Sequence, residues 1–422
     1  MKSLFFLLPL VVLAGCVDKS RDLTSPFGAS LDTNDFDRGA LMTNLVDNIF
    51  IPNYKTTSEL AADFASESGA VANYCASIDS LNETSKLSDA RTAWRGLMDS
   101  VQKTEMHIIG PAANNNAELN NRLNSYRGVF EDGSAEEISK CGIDVAVTLL
   151  AADNYNVATR ASNQRGLGAI EYLLFNEDLT HNCGISLSAT QDWNNLSQSA
   201  KKTQRCDLAM TLANDVAEAS ATIHNQWTAG DSPYRTEFLS EASRADNFQQ
   251  ITDALFYIET YTKSEKLFTP LGLPPNSDKS KCSAITCPDL IESPYSESSL
   301  RNIKVNAEEF LRIFNGADGV GFYDLIADAG QPYIANRFRT QLQQVIDRIE
   351  SIDTSLYDQV SSITSSQDKS TCESSWHYPN DADSLDACSV ASLLKLVTDD
   401  LKIEFVLIVD VPIPGSVQSD ND

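Results

Sequence analysis

The chain has 422 residues, 42% of them hydrophobic, with 32 Lys and Arg against 59 Asp and Glu and a formal net charge of −27. The length gives a prior of two or three domains, and the apolar content is enough for a substantial core. So acidic a surface opposes nucleic acid and anionic membrane as partners; it keeps an exported protein soluble and concentrates cations near it.

Taken in order, residues 1–15 read as a targeting segment. Lys2 gives a small positive start, Leu4 to Val12 form a short apolar run, and Leu13-Ala14-Gly15-Cys16 resembles a bacterial lipoprotein signal. Cys16 is then the lipidated N-terminus, so membrane attachment is by lipid anchor only. Val17 behind it points to the outer membrane. Residues 16–34 are a polar tether. Eight cysteines remain, an even number that in an exported chain reads as disulfides. Eight allow 105 connectivities. Nearest-neighbour pairing gives Cys75–Cys141, Cys183–Cys206, Cys282–Cys287 and Cys372–Cys388, and their spacings do not make a zinc site.

Asp35 to Cys75 has a helical pattern that Pro52 is expected to break or kink. Ser88 is read as the cap of the next helix, which carries Ala93, Trp94, Leu97, Met98, Val101 and Ile108 and stops at Gly110-Pro111. Asn114 to Asn116 reads as a loop, and Ser134 to Glu137 as a capping box opening a helix to about Leu150. After a stretch at 165–178 comes a loop with His181 and Cys183. A long helix follows from about Asp192 to Trp227, on a stripe of Leu208, Leu212, Val216, Ala219, Ile223 and Trp227. A helix from Asn247 to Phe268 turns Ile251, Leu255, Ile258 and Tyr261 inward, and prolines from Pro270 onward end it. Further helices carry Ile303 to Phe314 and Ile334 to Ile352, and a last one starts near Ser384. Its end, Ile403 to Val409, suits helix or strand, and residues 411–422 read as an acidic tail. Long amphipathic helices without convincing strands make the chain all-α. Asp381, Asp383 and Asp386 read as a solvated helix start rather than a calcium loop, which requires a central glycine and a terminal glutamate.

The stretch Arg165 to Asp178 resembles the signature of the imelysin family, Gly-x-His-x-x-Glu followed by an apolar run, an aromatic residue and an acid. Gly166, Glu171, the run Tyr172 to Phe175 and Asp178 fit it, and Gly168 stands where the family has histidine. A His and a Glu three apart share a helix face and can hold a metal together; glycine has no donor atom. Ala93-Trp94 and Thr104-Glu105, eleven residues past the tryptophan, are similar to a second family stretch, with Met98 where an arginine is expected. Glu292-Ser293-Pro294-Tyr295-Ser296 is similar to iron-regulated members.

The resemblance implies two helical-bundle domains, 35–185 and 186–410, with the site where they meet. It makes Glu171, Glu105, Trp94, Glu292 and Ser296 the candidate ligand or metal residues, with iron or another divalent cation as the implied cofactor. The reading is a non-catalytic envelope lipoprotein in iron or other metal acquisition, whose partners are a metal ion or metal complex and an outer-membrane receptor. The alternatives are a metallopeptidase of the imelysin type, which needs three protein ligands and an open position, and a structural envelope lipoprotein. His181 is the one loop histidine near the signature that could replace the missing ligand.

Overall fold

The structure is a computed structural model that describes residues 35–124, 126, 137–184, 187–230, 233–273, 282–378 and 386–417. Cys16, the tether, Ser134, Asp381 and Asp383, and the tail beyond residue 417 lie outside the described residues, as does the segment 1–15. Every regular element among the described residues is helical, and none is long and apolar enough to cross a membrane.

The first part of the chain contains α1 (Arg38–Leu45), α2 (Ile51–Ala65), α3 (Ala70–Ser77), α4 (Glu83–Glu105), α5 (Asn114–Leu123), α6 (Lys140–Ala151), α7 (Gly166–Phe175) and α8 (Gln198–Thr228). Pro52 does not break the first of these. A wide π-turn over Val46–Phe50 joins α1 to α2 with helical backbone throughout, and it accommodates Pro52, whose missing N–H leaves a carbonyl of the preceding turn to find another donor. The carbonyl four residues back, on Asn48, accepts instead from Arg312 Nη2 at 3.0 Å. Helix α4 starts five residues before Ser88, which is internal to it. Asn115, Asn116 and Ala117, at the start of α5, are left-handed. Ser139 caps α6, its Oγ accepting from Gly142 N at 3.2 Å.

The second part contains α9 (Tyr234–Phe238), α10 (Arg244–Leu255), a π-helical segment (Ile258–Phe268) running into α11 (Thr269–Leu271), then α12 (Ser299–Asn315), α13 (Phe322–Asp328), α14 (Pro332–Glu350), α15 (Leu356–Ser362), α16 (Ser366–His377), α17 (Ala387–Asp400) and α18 (Val406–Val409). Asp386 caps α17 by accepting from Ser389 N at 2.9 Å. The apolar end of the chain, left open between helix and strand, is a wide turn at Leu401–Phe405 followed by α18.

The expected boundary at 185/186 assigns the long helix to the wrong half. The α8 stripe Leu208, Leu212, Val216, Ala219, Ile223 and Trp227 is fully buried, each large member contributing about 1.5–3 kcal/mol. It is buried against α2, α5, α6 and α7, so the amino-terminal bundle extends through Thr228. The second bundle is built on α12, α14 and α17.

Two of the expected disulfides are exchanged. The pairs are Cys75–Cys206 and Cys141–Cys183, with Cα atoms 5.6 and 4.6 Å apart, beside Cys282–Cys287 and Cys372–Cys388. Proximity in sequence misleads because α8 packs along α3, which brings Cys206 to Cys75. The loop after α7 folds back over the start of α6, which brings Cys183 to Cys141.

Candidate functional site

The signature stretch forms α7, and all ten of its residues are buried. Its entry is set by Gly166, whose φ is +67° and whose absent Cβ would lie 2.9 Å from the carbonyl oxygens of Arg122 and Leu123. Only glycine meets both demands. Arg165, just before it, grips Asp215 of α8 with three hydrogen bonds, Nε–Oδ2 at 3.0 Å, Nη2–Oδ1 at 2.6 Å and Nη2–Oδ2 at 2.8 Å. Trp94 is fully buried and supports the same turn, its Nε1 donating to Leu167 O at 2.9 Å. Tyr172 leaves the other side of α7 to bond the Asp144 carboxylate and Asn182. Trp94 and Tyr172 therefore hold the helix in place.

Glu171 points to the junction of the two bundles and is completely buried. Its Oε2 accepts from Tyr126 OH and its Oε1 from Ser296 N, both at 2.6 Å. Burial pushes its carboxyl up to about 7, against these two donors, with Glu292 adding to the rise. Ser296 belongs to the loop before α12, in which Ser293 and Glu297 take positive φ of 54° and 57°. Strained backbone of this kind persists where surrounding contacts over-determine it. Here it turns Ser296 N onto Glu171 while Glu292 points inward from the same loop.

Glu105, at the end of α4, and Glu292 form the second half of the site. Asn124 Nδ2 bridges them, at 2.8 Å to Glu105 Oε1 and 3.2 Å to Glu292 Oε1. Tyr257 OH also donates to Glu105, and Gln102 Nε2 to Glu292 Oε1 at 2.6 Å. Between the two carboxylates lies the ammonium of Lys266, a residue only 3% exposed, carried by the π-helical segment. Its Nζ is 3.1 Å from Glu105 Oε2, 3.3 Å from Glu292 Oε2 and 2.6 Å from Asn306 Oδ1, and it donates to Gln102 Oε1. Wide helical turns of this type are rare and concentrate at functional sites.

The implied metal can be tested against this donor set. Gly168 offers no ligand atom, both oxygens of Glu171 are engaged by hydrogen-bond donors, and the oxygens of Glu105, Glu292, Gln102 and Asn306 surround an ammonium. No group of three or more His, Cys, Asp or Glu able to hold a metal occurs among the described residues. The residues present do not fit a resident metal ion. The histidines do not change this. His107 is buried beside Asn53, 2.9 Å from its Nδ2, and burial lowers its imidazole to about 3, so it is neutral. His181 Nδ1 takes the N–H of Cys183 at 3.2 Å.

The structure thus brings Glu171, Glu105, Glu292 and Ser296 to one junction, and Trp94 behind it. Sequence reading missed Lys266, Asn124, Gln102, Asn306, Tyr126 and Tyr257. The available signal was a polar row Ser299, Asn302 and Asn306 beside the apolar stripe of α12, and Lys263 and Lys266 inside a segment otherwise patterned for burial.

Two helical bundles with a closed acid–lysine cluster between them, built around one signature helix, define the class of protein. The sequence model of the imelysin family matches residues 50–374, and the chain belongs to that family. The fold is similar to the crystal structure described as an iron-regulated protein A precursor from Parabacteroides distasonis, at 18% identity and a TM-score of 0.58, covering 88% of this chain and 96% of that one. It is also similar to an imelysin-like protein from Psychrobacter arcticum, at 14% identity and a TM-score of 0.55, covering 92% and 98%. No curated protein matches the sequence.

Proposed function

We propose that this chain is a non-catalytic binding member of the imelysin family, held at the cell envelope by lipid on Cys16 and acting in the acquisition of iron or another metal. The observation that supports this is the Lys266 ammonium between Glu105 and Glu292. A hydrolytic metal needs several protein ligands and an open position for water, and here a built-in cation occupies the position among the oxygens. The cluster therefore acts as a fixed joint between the bundles, and metal is taken as a complex, or by way of a receptor, rather than as a bare ion coordinated by Glu171 and Glu105. The iron-regulated precursor of similar fold supports metal acquisition as the setting.

The test uses the purified mature chain. Casein cleavage should be absent with and without added zinc or iron, and equilibrium dialysis should find no stoichiometric bare ferric or divalent ion at micromolar concentration. A strain lacking the protein should grow more slowly when iron is limiting. Cleavage abolished by a chelator would return the metallopeptidase, and bare-metal binding lost in Glu105→Gln would return a metal centre at the cluster. Normal growth of the deletion strain under metal limitation would remove metal acquisition and leave a structural lipoprotein.

A further inference from the structure

Outside the closed cluster, a cleft of about 880 Å³ opens over the carboxyl end of α7. Its wall carries Arg91, Arg95, Lys202 and Arg205 against three glutamates, Glu83, Glu177 and Glu297, in a chain whose net charge is −27. A local excess of positive charge on so acidic a molecule is not explained by solubility.

The four cations differ in what they are committed to. Lys202 is paired with Glu83 at 2.5 Å. Arg205 is buried and spends its guanidinium on the carbonyls of Asn176, Asp178 and Thr180 past the end of α7. Arg91 holds Leu174 O at 2.9 Å and reaches the exposed Glu177 only at 3.3 Å. Arg95 pairs with no carboxylate among the described residues. Its guanidinium lies 4.9 Å from the centre of the Phe175 ring, and its one hydrogen bond among the described residues is a long one, 3.3 Å, to Ser296 O. Beside it, the hydroxyl of the half-buried Tyr295 makes no hydrogen bond to the protein among the described residues, although the ring is packed edge-on against Tyr172 at 5.4 Å.

A guanidinium fixed on an aromatic face presents its donor edge in a set orientation and suits the two oxygens of a carboxylate. The cleft is far larger than a single inorganic ion and of the size that takes small organic ligands. Aromatic surface from Phe175 and Tyr295 offers contact to a carbon skeleton. We propose that this cleft is a binding site for a small organic polycarboxylate, with Arg95 taking one carboxylate and Tyr295 OH donating to the same ligand. Arg91 adds long-range attraction. The ligand would lie one residue from the joint, because Ser296, whose carbonyl Arg95 holds, gives its N–H to Glu171. This site neither requires nor excludes metal acquisition, since it binds the anion with or without a metal attached.

The test is calorimetric titration of the mature chain with citrate, and separately with inorganic phosphate, in metal-depleted buffer. Citrate should bind, more weakly as salt is raised. Arg95→Gln should weaken it about tenfold or more, with Arg95→Lys in between. Arg337→Gln removes a cation that is paired with Asp400 and is not part of the cleft wall, and should leave citrate binding unchanged. Tyr295→Phe, which removes one oxygen, should weaken binding several-fold and serves if Arg95→Gln fails to fold. Absence of citrate binding, phosphate binding as well as citrate, or equal affinities for the Arg95→Gln and Arg337→Gln proteins would overturn the proposal. A growth result under iron limitation would not bear on it.

Discussion

Lys266→Met removes one ammonium and keeps most of the aliphatic stem, so it isolates the charge. In the native protein that charge lies within 3.3 Å of two buried carboxylates and within hydrogen-bonding reach of two amide oxygens. Breaking a buried ion pair by removing one partner costs about 3–5 kcal/mol, because the other charge is left uncompensated. Two carboxylates are left here, together with the Gln102 and Asn306 acceptors, which places the expected loss at the upper end of that range. Urea unfolding followed by circular dichroism measures it as a shift in midpoint at constant slope. Adding Glu105→Gln to the Lys266→Met background should restore stability rather than lower it further, a coupling that a double-mutant cycle reads directly. The position left by the ammonium is surrounded by hard oxygen donors, which suit calcium or manganese. Millimolar divalent cation should therefore stabilise the variant and leave the native protein unchanged, by about 2.7 kcal/mol at a hundredfold excess over the dissociation constant. A loss below about 1 kcal/mol, or strictly additive losses in the double variant, would refute the view that Lys266 compensates this cluster.

Glu171 makes stability depend on pH. Its folded value, about 7, lies above the ordinary 4.5, so between those two values the folded state binds the extra proton. The contribution of Glu171 is therefore greatest below about 4.5 and is lost as pH rises through 7, by about 3 kcal/mol in all. Glu171→Gln should flatten that slope in urea titrations from pH 5 to 8, and parallel profiles for the two proteins would contradict it. Gly166→Ala should cost about 2–4 kcal/mol, from a left-handed backbone and a Cβ 2.9 Å from two carbonyl oxygens, measured as a lowered melting temperature. Replacing Cys75 and Cys206 by serine opens a loop of 131 residues, a loss of about 5 kcal/mol on chain entropy, whereas the same change at Cys282 and Cys287 opens a loop of 5 and costs about 2 kcal/mol. Comparable losses for the two pairs would set the entropic account aside.

Much of the site could be read from residue order, because the pieces that carry it are local. Gly166 and Glu171 lie on one short helix, and Trp94 and Glu105 on another. Glu292 and Ser296 share one loop. What could not be read is the partner set of each carboxylate. Lys266 is 161 residues from Glu105, and Asn124 reaches Glu292 across 168. A lysine in a helix is ordinarily solvated, so although its segment is patterned for burial, nothing nearby in sequence named the two acids it would lie between. The same distance effect misassigned two disulfides and one bundle boundary: the boundary and Cys75–Cys206 depend on which helices lie against α8, and Cys141–Cys183 on how the loop after α7 folds back over α6.

The amino-acid sequence by itself determined the all-helical class, the apolar face of each long helix and the signature glycines and glutamate, because periodicity, capping and turn chemistry act over a few residues. Only the tertiary structure decided that α8 completes the first bundle, that Ser296 and Tyr126 close over Glu171, and that an ammonium fills the space between Glu105 and Glu292. Those outcomes depend on which charges are desolvated together, and desolvation is a property of packing in space, not of order along the chain.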